Sequence, residues 1–86
     1  MDTNQNNTVR TSHWRMELNN VWQSNKALGP LAWEDIPAHG HQGPWTAIVR
    51  INGIEFGSGG GNSRDDAREA AAHVAYLQVI KKLQGQ

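Results

Sequence analysis

A glycine-rich segment, Gly57 to Gly61, leads into a segment of strongly helical composition. Backbone N–H groups at such a junction point towards anions, so a loop of this kind can hold a phosphate group. A nucleotide-hydrolysing P-loop also requires a Lys-Ser/Thr pair after its last glycine, and no such pair follows Gly61. We therefore predict that Gly57–Asn62 is a flexible connection that lets the backbone turn into the helix.

Several side chains are of types used in catalysis or metal binding. Ser63, His41 and Asp66 could form a hydrolytic triad, but nothing in their spacing places a nucleophile beside a base. His39 and His41 could ligate zinc, yet the chain has no cysteine and no suitably placed carboxylate to complete the site. We predict that the protein is not an enzyme and holds no metal or cofactor.

The composition predicts a single small domain. The 86 residues carry eight Lys and Arg against eight Asp and Glu, which argues against a generally polybasic nucleic-acid binder but allows a basic patch on one face. The lack of cysteine, of a signal peptide and of an apolar stretch of about 20 residues predicts a cytoplasmic or nuclear protein. We expect a disordered polar arm at residues 1–11 and one folded domain at residues 12–84.

The first part of this domain has the pattern of a helix followed by a strand. Ser12 can cap a helix from His13 to about Lys26, with an apolar stripe that includes Leu18. Gly29-Pro30 ends the helix, and Leu31 to Pro37 predicts a short, irregular strand before a loop.

The segment from Trp45 to Phe56 predicts a β-hairpin. Apolar and polar residues alternate before Asn52-Gly53, the dipeptide typical of a type I′ turn. A two-residue turn predicts three cross-strand pairs, namely Ile51 with Ile54, Arg50 with Glu55, and Val49 with Phe56. This register places Val49, Ile51, Ile54 and Phe56 on one face and an Arg50–Glu55 ion pair on the other.

A second helix follows the glycines. Ser63 is a typical N-cap with Asp66 three residues later, and the helix extends from Arg64 to about Leu83. Its alanines, Ala67, Ala71 and Ala75, leave a shallow groove that can lie close to a sheet. We predict an α+β fold of α-β-β-β-α order, with a three-stranded antiparallel sheet and two helices packed on one of its faces.

Several short motifs occur in one order along the chain. They are Leu18-Asn19, Trp33-Glu34-Asp35-Ile36-Pro37, His41 four residues before Trp45, Ile51-Asn52-Gly53 with Phe56, and Gly59, Gly61 and Ser63 followed by Arg64-Asp65-Asp66-Ala67-Arg68, Ala71-Ala72 and Ala75. From Trp14 to Leu83 this series resembles the double-stranded RNA-binding domain family. The resemblance implies a module that binds A-form duplex RNA by shape, over about 16 bp, rather than by sequence.

The resemblance also implies which residues contact RNA in two minor grooves. In helix 1, Asn20 stands where the family usually has Glu or Gln, next to Asn19 and one turn after Met16. Asparagine can donate to and accept from a base edge or a 2′-hydroxyl, although Asn19 and Asn20 are equally explained as solvated helix residues. In the loop, His41 would reach the next minor groove. This loop is shorter than is usual in the family, and a mobile surface loop is the alternative.

The start of helix 2 would meet the phosphates of the intervening major groove. The family has Lys-Lys-x-Ala-Lys here, and this chain has Arg64, Asp65 and Arg68 at the three basic positions. Arg64 and Arg68 lie one turn apart and can still grip phosphate. Asp65 replaces the central lysine and Asp66 adds a second carboxylate, which predicts reduced affinity and a flatter salt dependence.

A competing hypothesis comes from apolar residues on a second face of helix 2. Val74 and Leu77 share this face with Ala70, and Ile80 widens it. Some members of the family have lost RNA binding and use the domain for protein contacts. Val74, Leu77 and Ile80 could therefore dock the chain on itself or on another protein, whereas the simpler alternative is that Val74 and Leu77 extend the core.

Overall fold

The computed structural model describes residues 13–38 and 44–85. The predicted arm at residues 1–11, the predicted cap Ser12 and the loop histidines His39 and His41 lie outside the described residues. The elements in chain order are α1 (Trp14–Gln23), a 3₁₀ turn (Lys26–Leu28), β1 (Leu31–Pro37), β2 (Trp45–Ile51), β3 (Ile54–Gly61) and α2 (Arg64–Leu83).

The α-β-β-β-α prediction is confirmed. The three strands form one antiparallel sheet in the order β1-β2-β3, and both helices pack against it. α2 packs mainly on β3 and β2, and α1 packs mainly against α2. The core is made of buried side chains from α1, β2 and α2, which are Leu18, Ala47, Val49, Ile51, Ala67, Ala71, Ala72, Ala75 and Val79.

α1 ends before the predicted boundary near Lys26. The last helical residue is Gln23, because Asn25 leaves the helical region of backbone conformation and its side-chain amide donates to the Val21 carbonyl oxygen at 2.8 Å. Asparagine competes with helical hydrogen bonding in this way, and the chain continues as the short 3₁₀ turn.

The prediction that the first strand is short and irregular is wrong. All seven residues of β1 pair with β2, from Leu31 opposite Ile51 to Pro37 opposite Trp45. Pro37 is tolerated because it stands at the end of an edge strand, where a missing N–H donor interrupts little of the ladder.

The prediction of a flexible connection at Gly57–Asn62 is also wrong, because β3 continues to Gly61. Alternate glycines of this strand face α2 at a separation that admits no side chain. A Cβ atom added to Gly57 would lie 2.5 Å from the backbone nitrogen of Ala75, and one added to Gly61 would lie 2.7 Å from that of Ala67. The glycines and the alanines of α2 therefore allow the helix to lie directly on the strand.

A β-bulge changes the predicted hairpin register. The Ile51–Ile54 and Arg50–Glu55 pairs are confirmed, but Val49 lies opposite Gly57 rather than Phe56. The predicted apolar face is therefore incomplete, because Phe56 is only half-buried and Ile54 is 60% exposed. An extra residue on one strand of an antiparallel pair shifts every later pair in this way.

The ion pair predicted between Arg50 and Glu55 is replaced by another. Arg50 Nη1 lies 2.7 Å from Glu34 Oε1 of β1. Arg50 lies opposite Ala32, two positions from Glu34 along β1, and long side chains reach across such diagonals.

Val74 and Leu77 do not extend the core. Their exposed fractions are 44% and 54%, so the simpler of the two explanations for these residues is wrong. Within the described residues, neither helix combines the length and the apolar character needed to cross a bilayer.

Candidate nucleic-acid interface

The polar face of α1 presents the residues that the sequence singled out. Met16 is 57% exposed, and Asn19 and Asn20 are exposed as well. Leu18 is fully buried between them and holds this turn of the helix against the core. The three side chains therefore lie on solvent-facing positions of one turn, which is where a groove contact requires them.

The first turn of α2 begins as predicted. The Ser63 hydroxyl accepts a hydrogen bond from the Asp66 backbone N–H at 3.1 Å, which caps the helix. Arg64 is exposed and its guanidinium lies 5.1 Å from the centre of the Trp45 ring, a cation–π contact. Within the described residues Arg64 has no ion pair, so its donors face solvent at the start of the helix.

Arg68 lies one turn further along and already holds a carboxylate. Its Nε donates to Asp35 Oδ1 at 2.9 Å and its Nη2 donates to Asp35 Oδ2, a bidentate pair beside the Trp33 ring. These hydrogen bonds hold the pKa of the Asp35 carboxyl below its ordinary value. Two of the nitrogens with which Arg68 could grip phosphate are therefore occupied by β1.

Asp65 has a partner that sequence reasoning missed. Arg15 of α1 places its Nη1 3.4 Å from Asp65 Oδ1, although the Asp65 side chain remains 76% exposed. The pair joins the first turns of the two helices. No local signal in the sequence pointed to it, because the two residues are 50 positions apart.

Glu69 is the second residue that was missed. It is a buried charged residue within the alanine-rich part of α2, and its carboxylate accepts hydrogen bonds from the backbone N–H groups of Trp14 and Arg15 and from Arg15 Nε. The sequence does mark Glu69 as unusual, because it is a charged residue among alanines. The spacing of residues along the chain does not indicate which groups Glu69 contacts.

The loop between β1 and β2 is closed at its base by a hydrogen bond from the Ala38 N–H to the Pro44 carbonyl oxygen at 3.0 Å. His41 lies outside the described residues. Within residues 13–38 and 44–85, no cluster of three or more histidine or carboxylate side chains is arranged to hold a metal ion.

The family model of the double-stranded RNA binding motif matches residues 14–79 of the sequence. The chain belongs to this family. No curated protein shows a significant match to the sequence. The double-stranded RNA binding motif is a binding module rather than a catalytic domain.

Ion pairing decides how much of this motif's positive charge is available. Arg15, Arg50 and Arg68 each pair with a carboxylate of the motif, and Arg64 is the one arginine of the described residues that does not. Of the eight Lys and Arg residues in the sequence, three are therefore paired with carboxylates within the described residues.

Proposed function

We propose that this chain binds double-stranded RNA by its shape, across two minor grooves and the major groove between them. The observation that carries the proposal is the joint exposure of Met16 and Asn20 on α1 and of Arg64 at the start of α2, in a member of the double-stranded RNA binding motif family. Direct reading of base sequence is not required, because contacts to 2′-hydroxyls and phosphates depend on the A-form geometry.

The α1 contact is directed at a minor groove. The Asn20 amide can donate to and accept from 2′-hydroxyls or base edges, with Asn19 beside it, and Met16 covers the sugar with an unbranched apolar side chain. The loop supplies the next minor-groove contact, and we assign it to His41.

The α2 contact is directed at phosphates. Arg64, which has no ion pair within the part of the chain that the structure describes, places its guanidinium at the end of the helix where the macrodipole is positive, so charge and dipole act on the same anion. Arg68 adds a second phosphate contact when it shares its donors between Asp35 and the RNA. Asp65 and Asp66 repel phosphate at the same turn, and for this reason we propose a reduced affinity.

The test is a titration of labelled RNA and DNA duplexes of about 20 bp, long enough for the footprint of about 16 bp, at several salt concentrations. We expect a preference for RNA and an affinity that falls as salt rises. Absence of binding to either duplex at low salt would overturn the proposed function.

A second function is favoured by the exposed apolar face of α2. Val74 and Leu77 line a groove with Gln78 and Lys81, and an adjoining groove is lined by Ile54, Phe56 and Lys82. Ile80 is half-buried at this face.

We propose that a second copy of the chain covers this face. Glu55 and the lysines line one groove, so two copies related by a twofold axis can present opposite charges to each other around an apolar centre. Light scattering should then show a dimer that Leu77→Lys dissociates. Ile36→Lys, which changes an exposed apolar residue of β1, is the matched control and should leave the dimer intact. A concentration-independent monomer would contradict self-association.

A further inference from the structure

One carboxylate joins the two helices that carry the proposed RNA contacts. The Glu69 side chain is 10% exposed and lies against the first turn of α1. One of its oxygens accepts from the Trp14 N–H, and the other accepts from the Arg15 N–H at 3.4 Å and from Arg15 Nε at 3.0 Å.

Through these contacts Glu69, a residue of α2, caps the N-terminus of α1. N–H groups in the first turn of a helix have no partner within the helix, and His13 at the N-cap position provides no side-chain hydrogen bond. An anion at this end also interacts favourably with the helix dipole. A buried carboxylate is stable only when several donors satisfy it, and here three do.

Different contacts hold the two ends of α1. Leu18 is its one fully buried residue, Val21 and Trp22 pack half-buried against the core beyond it, and the Trp22 indole N–H donates to the Gly29 carbonyl oxygen at 2.8 Å. Trp14, which stacks on His73 of α2 at 4.1 Å between ring centres, and the Glu69 contacts hold the N-terminal end. The placement of this end of α1 on α2 therefore depends on Trp14 and on Glu69.

We propose that Glu69 is a positioning residue for RNA binding. It touches no RNA, and it fixes the distance between the minor-groove contact at Asn20 and the phosphate contact at Arg64. A duplex presents its grooves at a set spacing, so contacts on two separate helices add to one another only when the helices are held at the matching separation. This inference rests on the proposed RNA-binding function.

The test is a double-mutant cycle measured as affinity for an RNA duplex of about 20 bp. Glu69→Ala, Asn20→Ala and Arg64→Ala are measured singly, and the first is combined with each of the other two. We expect Glu69→Ala to weaken binding by about tenfold, and Asn20→Ala to have little further effect in that background. Arg64→Ala should weaken binding by the same factor with or without Glu69, because α2 is not displaced.

A merely structural role for Glu69 gives a different result. If Glu69→Ala only lowered the fraction of folded protein, every RNA contact would be affected equally. Asn20→Ala and Arg64→Ala would then each weaken RNA binding by the same factor in the Glu69→Ala background as in the wild type. That outcome would overturn the inference. If Glu69→Ala does not fold, Glu69→Gln takes its place in the cycle, since the amide keeps the shape and one acceptor.

Amide hydrogen exchange in the free protein provides a readout that is independent of RNA. Because Glu69→Gln keeps only one acceptor oxygen, at least one of the Trp14 and Arg15 amides should exchange faster in this variant than in the wild type, and unchanged exchange at both amides would contradict the capping role. If the wild type does not bind RNA, the proposed function fails and the positioning role fails with it. If the wild type binds and the cycle is additive at Asn20, only the positioning role fails.

Discussion

The two ends of α2 carry different surfaces. In the first turns, Asp65 pairs with Arg15 and Arg68 pairs with Asp35, so that cations and carboxylates meet within the motif. Near the last turn, Lys81 and Lys82 have no ion pair among the described residues and line grooves with exposed apolar side chains. The two ends lie about 25 Å apart at the helical rise per residue.

This difference shows that counting charges cannot locate a binding face. At the first end of α2, Arg15 and Arg68 are paired with carboxylates, whereas Lys81 and Lys82 at the other end have no ion pair within residues 13–38 and 44–85. Under the proposed function, attraction of RNA at the first end therefore depends on Arg64 and on the polar side chains of α1. The other end has the apolar character of a protein contact.

Removal of the two arginines at the first end is expected to have the largest effect. Arg64→Ala combined with Arg68→Ala should weaken RNA binding by about tenfold at low salt and lower the salt slope by about 1 to 2, because phosphate contacts release counterions. The matched control is Lys81→Ala with Lys82→Ala, which removes the same charge from the other end. Both double variants are measured by titration at several salt concentrations. Equal losses of RNA affinity would show that the two ends of α2 contribute equally to RNA binding.

Charge reversal at Asp65 should change the RNA affinity in the opposite direction. Asp65→Lys is expected to strengthen RNA binding by about threefold, since a carboxylate that repels phosphate is replaced by an ammonium group that attracts it. Glu55→Lys makes the same change at the other end and should have a smaller effect in the same titration. If Asp65→Lys leaves affinity unchanged, the first turn of α2 does not face phosphate.

The smallest expected effect concerns the Asp35–Arg68 pair and appears in stability. Asp35→Asn should lower the free energy of unfolding at pH 7 by about 1 kcal/mol, because the uncharged amide offers the Arg68 guanidinium one acceptor oxygen in place of a bidentate carboxylate. The pKa of Asp35 is lower in the folded state than the ordinary value of about 3.9, so the pair stabilises the fold above that value and this stabilisation is lost as the pH falls through the folded pKa.

Thermal or denaturant unfolding at pH 7 and pH 3 checks this prediction. The difference between the wild type and Asp35→Asn should shrink at the lower pH, because the Asp35 carboxyl of the unfolded chain, which has the ordinary pKa, is protonated there. Glu34→Gln, which alters the more exposed pair with Arg50, should show a smaller difference at pH 7. A difference between the wild type and Asp35→Asn that does not change with pH would contradict the assigned ion pair.

Local signals in the sequence predicted most of the fold. Ser63 marks the start of α2 and Asn52-Gly53 marks the hairpin turn, because a cap and a tight turn depend on a few adjacent residues. Gly57–Asn62 was misread because glycine weakens a strand when it is judged alone. The glycines of this strand are needed because the strand lies directly against α2, and a local sequence pattern does not reveal that contact.

The candidate site was predictable to a smaller extent for the same reason. The exposure of Met16 and Asn20 follows from helical periodicity around Leu18. The partners of the charged groups do not follow from any period, since Arg68 and Asp35 are 33 positions apart and Trp14 and Glu69 are 55 apart. Only the folded chain shows which carboxylates neutralise the arginines.

Backbone amide chemical shifts, followed by NMR while an RNA duplex of about 20 bp is added, test the central claim most directly. The proposed function predicts that the largest changes occur at Met16, Asn20 and Arg64, with little change at Ile54, Leu77 and Lys81. Changes concentrated at Ile54, Leu77 and Lys81 would contradict it and would place the RNA near the last turn of α2.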